Sequence, residues 1–130
     1  DWAFKGCISL GRINLKSAVE IDDYAFYTCK NLEYVEFGDR LERIGTAAFF
    51  ECPSLTHLKL PSVITIRRSA FCRCKRLIDI ELSERLETIE ASAFGHCERL
   101  QRMTIPLKRV LFAFDDIYGR NTTNLTTVSN

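Results

Sequence analysis

No stretch of this chain approaches the run of about 18 apolar residues that a helical membrane span requires, so none is expected within it. Charge of either sign is also missing in net terms: 18 basic residues stand against 17 acidic ones, for a net charge of +1. That balance gives no bias towards nucleic acid or an anionic membrane. Histidine, the usual general base, occurs only as His57 and His96. The chain has no Gly-rich phosphate loop, no Gly-x-Ser-x-Gly elbow and no His-Glu-x-x-His helix. Cys72 and Cys74 form a single Cys-x-Cys with no second pair at zinc-ligand spacing, so no metal or other cofactor is expected.

What the chain does have is one phrase written five times. Ala3-Phe4 leads to Cys7, Ala25-Phe26 to Cys29, Ala48-Phe49 to Cys52, Ala70-Phe71 to Cys74, and Ala93-Phe94 to Cys97. The phenylalanines are 22, 23, 22 and 23 residues apart. A fixed period in this range signals stacked repeats rather than a globule folded around one centre. The alternation of lengths implies a paired unit of duplication, because the longer repeats carry Gly38-Asp39 and Ser83-Glu84 where the shorter ones carry Lys16-Ser17 and Pro61-Ser62.

Each cysteine is followed three residues later by a leucine and then by two apolar residues spaced two apart. These sets are Leu10, Ile13, Leu15; Leu32, Val35, Phe37; Leu55, Leu58, Leu60; Leu77, Ile80, Leu82; and Leu100, Met103, Ile105. A spacing of two is one face of a strand. An apolar pair three apart then leads back towards the next Ala-Phe: Ala18 and Ile21, Leu41 and Ile44, Val63 and Ile66, Leu86 and Ile89. Ala and Cys four apart predict a short helical turn, with Asp23, Thr46, Ser69 and Ser92 placed to cap it.

The run Leu55, Leu58, Leu60, Pro61, Val63, Ile66, Ala70, Phe71 and Cys74 resembles the BspA-type leucine-rich repeat. The resemblance extends over residues 3 to about 106. It implies a leucine-rich repeat solenoid of the α/β class, right-handed, with a parallel β-sheet built from one short strand per repeat and a helical turn at each Ala-Phe-x-x-Cys. The family is known from bacterial surface proteins and from protist expansions, and its best-understood members bind at cell surfaces. No catalytic residue belongs to its pattern. The expected organisation is a single array over 1–130, excerpted from a longer protein, with 3–106 regular and 107–130 degenerate. The irregular end carries Ile117 where a cysteine is due, Leu125 and Val128 as the start of a sixth strand, and acceptor patterns for glycosylation at Asn121 and Asn124.

Repeat spacing would stack Cys7, Cys29, Cys52, Cys74 and Cys97 about 5 Å apart with parallel side chains. Five aligned thiols cannot all pair, and parallel vectors in a core suit small buried side chains better than disulfides. Cys97 beside His96 invites a nucleophile reading, but neighbours in sequence diverge when one points inward, so an enzyme is not expected.

Residues between the inward strand positions should face solvent in columns. The middle column reads Arg12, Tyr34, His57, Asp79, Arg102, and the next reads Asn14, Glu36, Lys59, Glu81, Thr104. Glu36, Lys59 and Glu81 should form a row of alternating charge. The first column is Gly11, Glu33, Thr56, Ile78, Gln101. Solenoids bind on the extended face that their strands create, so Arg12, Tyr34, His57, Asp79, Arg102, Glu36, Lys59 and Glu81 are the candidate binding residues. The expected partner is a protein or a surface glycan, with a purely structural spacer as the other reading. A cluster of Arg67, Arg68, Arg73, Lys75 and Arg76 is a second candidate, read first as a solvated face that Glu87, Glu90 and Glu98 can neutralise and second as a site for an anionic partner. Tyr27 and Phe50 are expected to be partly covered by neighbouring coils.

Overall fold

The computed structural model describes residues 3–105 and 126–129. Two kinds of strand alternate along it. Four-residue strands are β1 (Arg12–Leu15), β3 (Tyr34–Phe37), β5 (His57–Leu60), β7 (Asp79–Leu82), β9 (Arg102–Ile105) and β10 (Thr126–Ser129). Two-residue strands are β2 (Glu20–Ile21), β4 (Arg43–Ile44), β6 (Thr65–Ile66) and β8 (Thr88–Ile89). Every pairing is parallel, and each strand meets its counterpart one repeat away, which makes the fold a parallel β-solenoid. The return segment thus builds a second ladder of its own, β2-β4-β6-β8. The expected sixth strand is β10, which contains Val128 and pairs with β9. Leu125, Ile117, Asn121 and Asn124 lie outside the described residues.

The apolar spacing places the core. Leu32, Val35 and Phe37, then Leu55, Leu58 and Leu60, then Leu77, Ile80 and Leu82 are all buried, as are Leu100 and Met103. In the first repeat Leu10, Ile13 and Leu15 are only partly buried, since no described coil covers them. The phenylalanines stack through the centre nearly face to face. Ring centroids are 5.1 Å apart for Phe4 and Phe26, 5.0 Å for Phe26 and Phe49, 5.2 Å for Phe49 and Phe71, and 5.4 Å for Phe71 and Phe94. Two glycines permit coils to close on one another. A Cβ on Gly38 would lie 2.1 Å from the Lys16 carbonyl oxygen, and one on Gly45 would lie 2.6 Å from the Asp23 amide nitrogen.

The Ala-Phe-x-x-Cys segment is not helical, and among the described residues no helix occurs. It is a chain of tight turns in which amides alternate between two destinations. Ala25, Tyr27 and Cys29 donate three residues back, to the carbonyls of Asp22, Tyr24 and Phe26, while Tyr24, Phe26 and Thr28 donate to Thr46, Ala48 and Phe50 of the next coil. Residues two before and two after each phenylalanine take positive φ: Tyr24 and Thr28, Ala47 and Glu51, Ser69 and Arg73, Ser92 and His96. Left-handed residues at that frequency end any right-handed helix, and the alternating amides leave none of the i to i−4 bonds a helix needs. The capping expectation falls with the helix. Asp23 Oδ1 instead accepts the Thr46 N–H of the next coil at 2.8 Å, and Ser69 and Ser92 are themselves left-handed.

All six cysteines are free thiols. Four of the five aligned ones do more than fill space, because each reaches back one coil to a phenylalanine carbonyl. Cys29 Sγ lies 3.0 Å from the Phe4 oxygen, Cys52 3.1 Å from Phe26, Cys74 3.3 Å from Phe49 and Cys97 3.2 Å from Phe71. Burial is the leading cause that pushes the Cys97 thiol up to about 12, and it drives Cys52 and Cys74 upward as well.

Candidate functional site

The period-two alternation that buries Leu58 and Leu60 turns His57 and Lys59 outward, and the same offset acts in every long strand. Register then brings the predicted columns together. Arg12 lies opposite Tyr34, His57 opposite Asp79 and Asp79 opposite Arg102, while Asn14 faces Glu36, Lys59 faces Glu81 and Glu81 faces Thr104. Tyr34 is 44% exposed, and the Arg12 guanidinium sits 5.2 Å from its ring centroid. His57 Nδ1 is 2.9 Å from Asp79 Oδ2.

Continuity across the face differs from expectation. β1 pairs with β3, and β5, β7, β9 and β10 follow one another in a second sheet, but no ladder joins β3 to β5. Each predicted column is therefore split between Tyr34 and His57, and between Glu36 and Lys59. The alternating-charge row is not realised either. Glu36 pairs at 3.2 Å with Lys16, just beyond the end of β1, and among the described residues Lys59 has no ion-pair partner. The break coincides with Phe37, the one aromatic at an inward position where Leu15, Leu60, Leu82 and Ile105 stand in the other strands. Its ring meets Phe49 edge-on at 5.9 Å.

Over the break lies a shallow cleft of about 580 Å³, walled by Tyr34, Glu36, Asp39, His57, Lys59, Asp79 and Glu81 among others. Six of these belong to the predicted set, and Asp39 is the one the columns missed. Its signal was the Gly38-Asp39 that lengthens this repeat. Arg12 and Arg102 stand in smaller hollows on either side, Arg12 with Tyr34 and Arg102 with Asp79.

Elsewhere the surface is less organised. A hollow of about 590 Å³ beside the return ladder contains Glu20, Asp22, Asp23, Arg43 and Arg67. Its central charges satisfy each other: Arg43 Nε bonds Glu20 Oε1 at 2.7 Å and holds that carboxyl below the usual carboxylate range. Arg67, Arg68, Arg73, Lys75 and Arg76 are all exposed, and Glu90 accepts the Arg68 main-chain N–H at 3.0 Å. Tyr27 and Phe50 are half-buried and stacked at 5.0 Å. Cys97 is fully buried in its bond to Phe71, whereas His96 is partly exposed on a left-handed turn. Among the described residues no group of three or more histidine, cysteine or acidic side chains is placed to hold a metal, and no helix is long and apolar enough to cross a membrane.

Comparison with known proteins accords with this architecture. A leucine-rich repeat protein from Treponema pallidum (T. pallidum) is 31% identical with a TM-score of 0.84, over 99% of this chain and 60% of that one. One from Bacteroides ovatus is 26% identical with a TM-score of 0.83, over 95% of this chain and 31% of that one. A leucine rich cell surface protein from Faecalibacterium prausnitzii is 28% identical with a TM-score of 0.80, over 92% and 31% respectively. The chain thus spans less than two thirds of the length of each of these three. No curated protein matches it in sequence. Residues 1–116 match the BspA type leucine rich repeat region in six copies, and the chain belongs to that family.

Proposed function

We propose that the chain is a non-catalytic interaction module that binds a protein through its exposed long-strand face. Leucine-rich repeat arrays are in general protein-interaction modules and in general lack catalysis. The observation that carries the reading is the cleft over the β3–β5 break, where seven polar or aromatic side chains from three strands and one turn converge. A face serving only solubility needs no such convergence. The similar cell surface protein from F. prausnitzii supports contact with molecules outside the cell as the setting.

The test compares the native chain with a variant carrying Tyr34→Ala, His57→Ala, Asp79→Ala and Arg102→Ala, after circular dichroism has shown equal folding. Both are used as bait against lysate and culture medium. A partner held by the native chain and released by the variant supports the face. Retention of every partner by the variant removes the face, no partner for either chain leaves the spacer, and capture of a surface polysaccharide in place of a protein makes the partner a glycan.

A further inference from the structure

The interruption between β3 and β5 is local and fixed. The same two coils are laddered on the return side, where β4 pairs with β6, and on the turn side, where Phe26 N–H meets the Ala48 oxygen at 2.7 Å. Serines bridge both ends of the gap. Ser54 Oγ donates to the Lys30 oxygen at 2.7 Å before the strands, and Ser62 Oγ donates to the Leu41 oxygen at 2.7 Å after them. Strands pinned at both ends and open in the middle form a notch, whereas a frayed edge would be free at one end.

Paired parallel strands satisfy each other's N–H and C=O groups, and groups denied that pairing need another partner. The facing edges of Tyr34–Phe37 and His57–Leu60 therefore supply main-chain donors and acceptors at the floor of the cleft. Four carboxylates stand around it, those of Glu36, Asp39, Asp79 and Glu81, against Lys59 and His57. Lys16 holds Glu36 and His57 holds Asp79, while Asp39 and Glu81 have no ion-pair partner among the described residues. The Tyr34 ring adds an aromatic wall, and Arg12 shows that this ring accepts a guanidinium.

Resting on the strand-face reading above, we propose that this notch receives an arginine side chain from an extended segment of a basic protein partner. A guanidinium offers five donors in one plane and no acceptor, which matches unpaired carboxylates on both sides of the notch and an aromatic wall.

The experiment is a titration of the ¹⁵N-labelled chain with end-blocked Gly-Arg-Gly, followed by amide shifts, with end-blocked Gly-Glu-Gly and lactose as comparison probes. Saturable shifts confined to residues 34–39 and 57–60 with the arginine peptide are expected, together with at least a tenfold loss of affinity in an Asp39→Asn, Glu81→Gln double variant that folds normally. Three results overturn the proposal: no shifts at about 10 mM peptide, a Gly-Glu-Gly or lactose response at the same amides, or unchanged affinity in the double variant. The two readings fail separately. A partner captured by the native chain and lost by the four-residue variant, without a Gly-Arg-Gly response, keeps the face and removes the notch.

Discussion

The Cys97 thiol donates to the Phe71 carbonyl one coil back, at 3.2 Å. That oxygen also accepts the Cys74 N–H of its own coil at 3.3 Å, so a single carbonyl ties a turn together and ties two coils to each other. Cys97→Ala removes the thiol donor and leaves a small cavity, with the carbonyl still held by Cys74. A loss of about 1 to 2 kcal/mol is expected. Cys97→Val should cost more, because a branched side chain overpacks a fully buried site. Urea midpoints of the two variants check the order.

The phenylalanine stack predicts a gradient from the middle to the end. Phe71 is fully buried between Phe49 and Phe94, whereas Phe4 is 42% exposed and stacked on one side only. Phe71→Ala should cost about 3 to 5 kcal/mol, a large part of the roughly 5 to 15 kcal/mol that holds a domain of this size. Phe4→Ala should cost less than half as much. Thermal melts by circular dichroism decide it, and equal losses at both positions would remove the stack as the organising element.

Thiol chemistry follows from burial. Cys97 is pushed up to about 12 from an ordinary 9.0, and Cys52 and Cys74 move in the same direction. The folded state therefore holds thiol protons that the unfolded chain releases above about pH 9, so stability falls as pH rises from 9 towards 12 and is unaffected by these groups below that window. At pH 8 a thiol reagent should label half-buried Cys7 fastest, and the buried five only at the rate of unfolding. Rapid labelling of Cys74 in the native chain would contradict its place in the core.

Much of this architecture was legible because it repeats. Phenylalanine spacing gave the coil length, and pairs such as Leu58 and Leu60 gave the inward face, since a strand has only two faces. The column rule also placed His57 beside Asp79 correctly. The turn was misread because Ala25 and Cys29, four apart, fit a helix as well as they fit three successive tight turns. Serine and threonine before the alanine suit a cap and a bend alike. Lys16 was missed as the partner of Glu36 because it lies past the end of its strand, where no column rule applies. The β3–β5 break left only one trace, an aromatic at position 37.

The left-handed turns carry a cost that glycine can relieve. Arg73 is exposed with φ 63, a conformation that costs a non-glycine residue about 1 to 2 kcal/mol. Glycine removes that cost and returns about 0.4 to 1 kcal/mol of it through the looser unfolded chain. Arg73→Gly should therefore stabilise by about 0.5 to 1 kcal/mol, and Arg73→Val, branched at Cβ, should destabilise. A lower melting temperature for the glycine variant would mean that the Arg73 side chain contributes more than its backbone loses.

Phe37 is the last point of leverage, because it sits beneath the interruption with its ring edge against Phe49. A phenyl ring in a layer otherwise built from leucine and isoleucine needs more room, and a close-packed interior yields that room by moving backbone. Residues 57–60 then have a ladder on the β7 side only, whereas residues 79–82 have one on each side. Amide exchange should accordingly be faster over 57–60 than over 79–82 in the native chain. Phe37→Leu should let β5 settle onto β3, slow exchange over 57–60 to the rate of 79–82, and shrink the cleft that the Gly-Arg-Gly peptide is expected to use. If the variant retains fast exchange at 57–60, the ring is not the wedge, and the bridging serines Ser54 and Ser62 become the groups that set the spacing of the two coils.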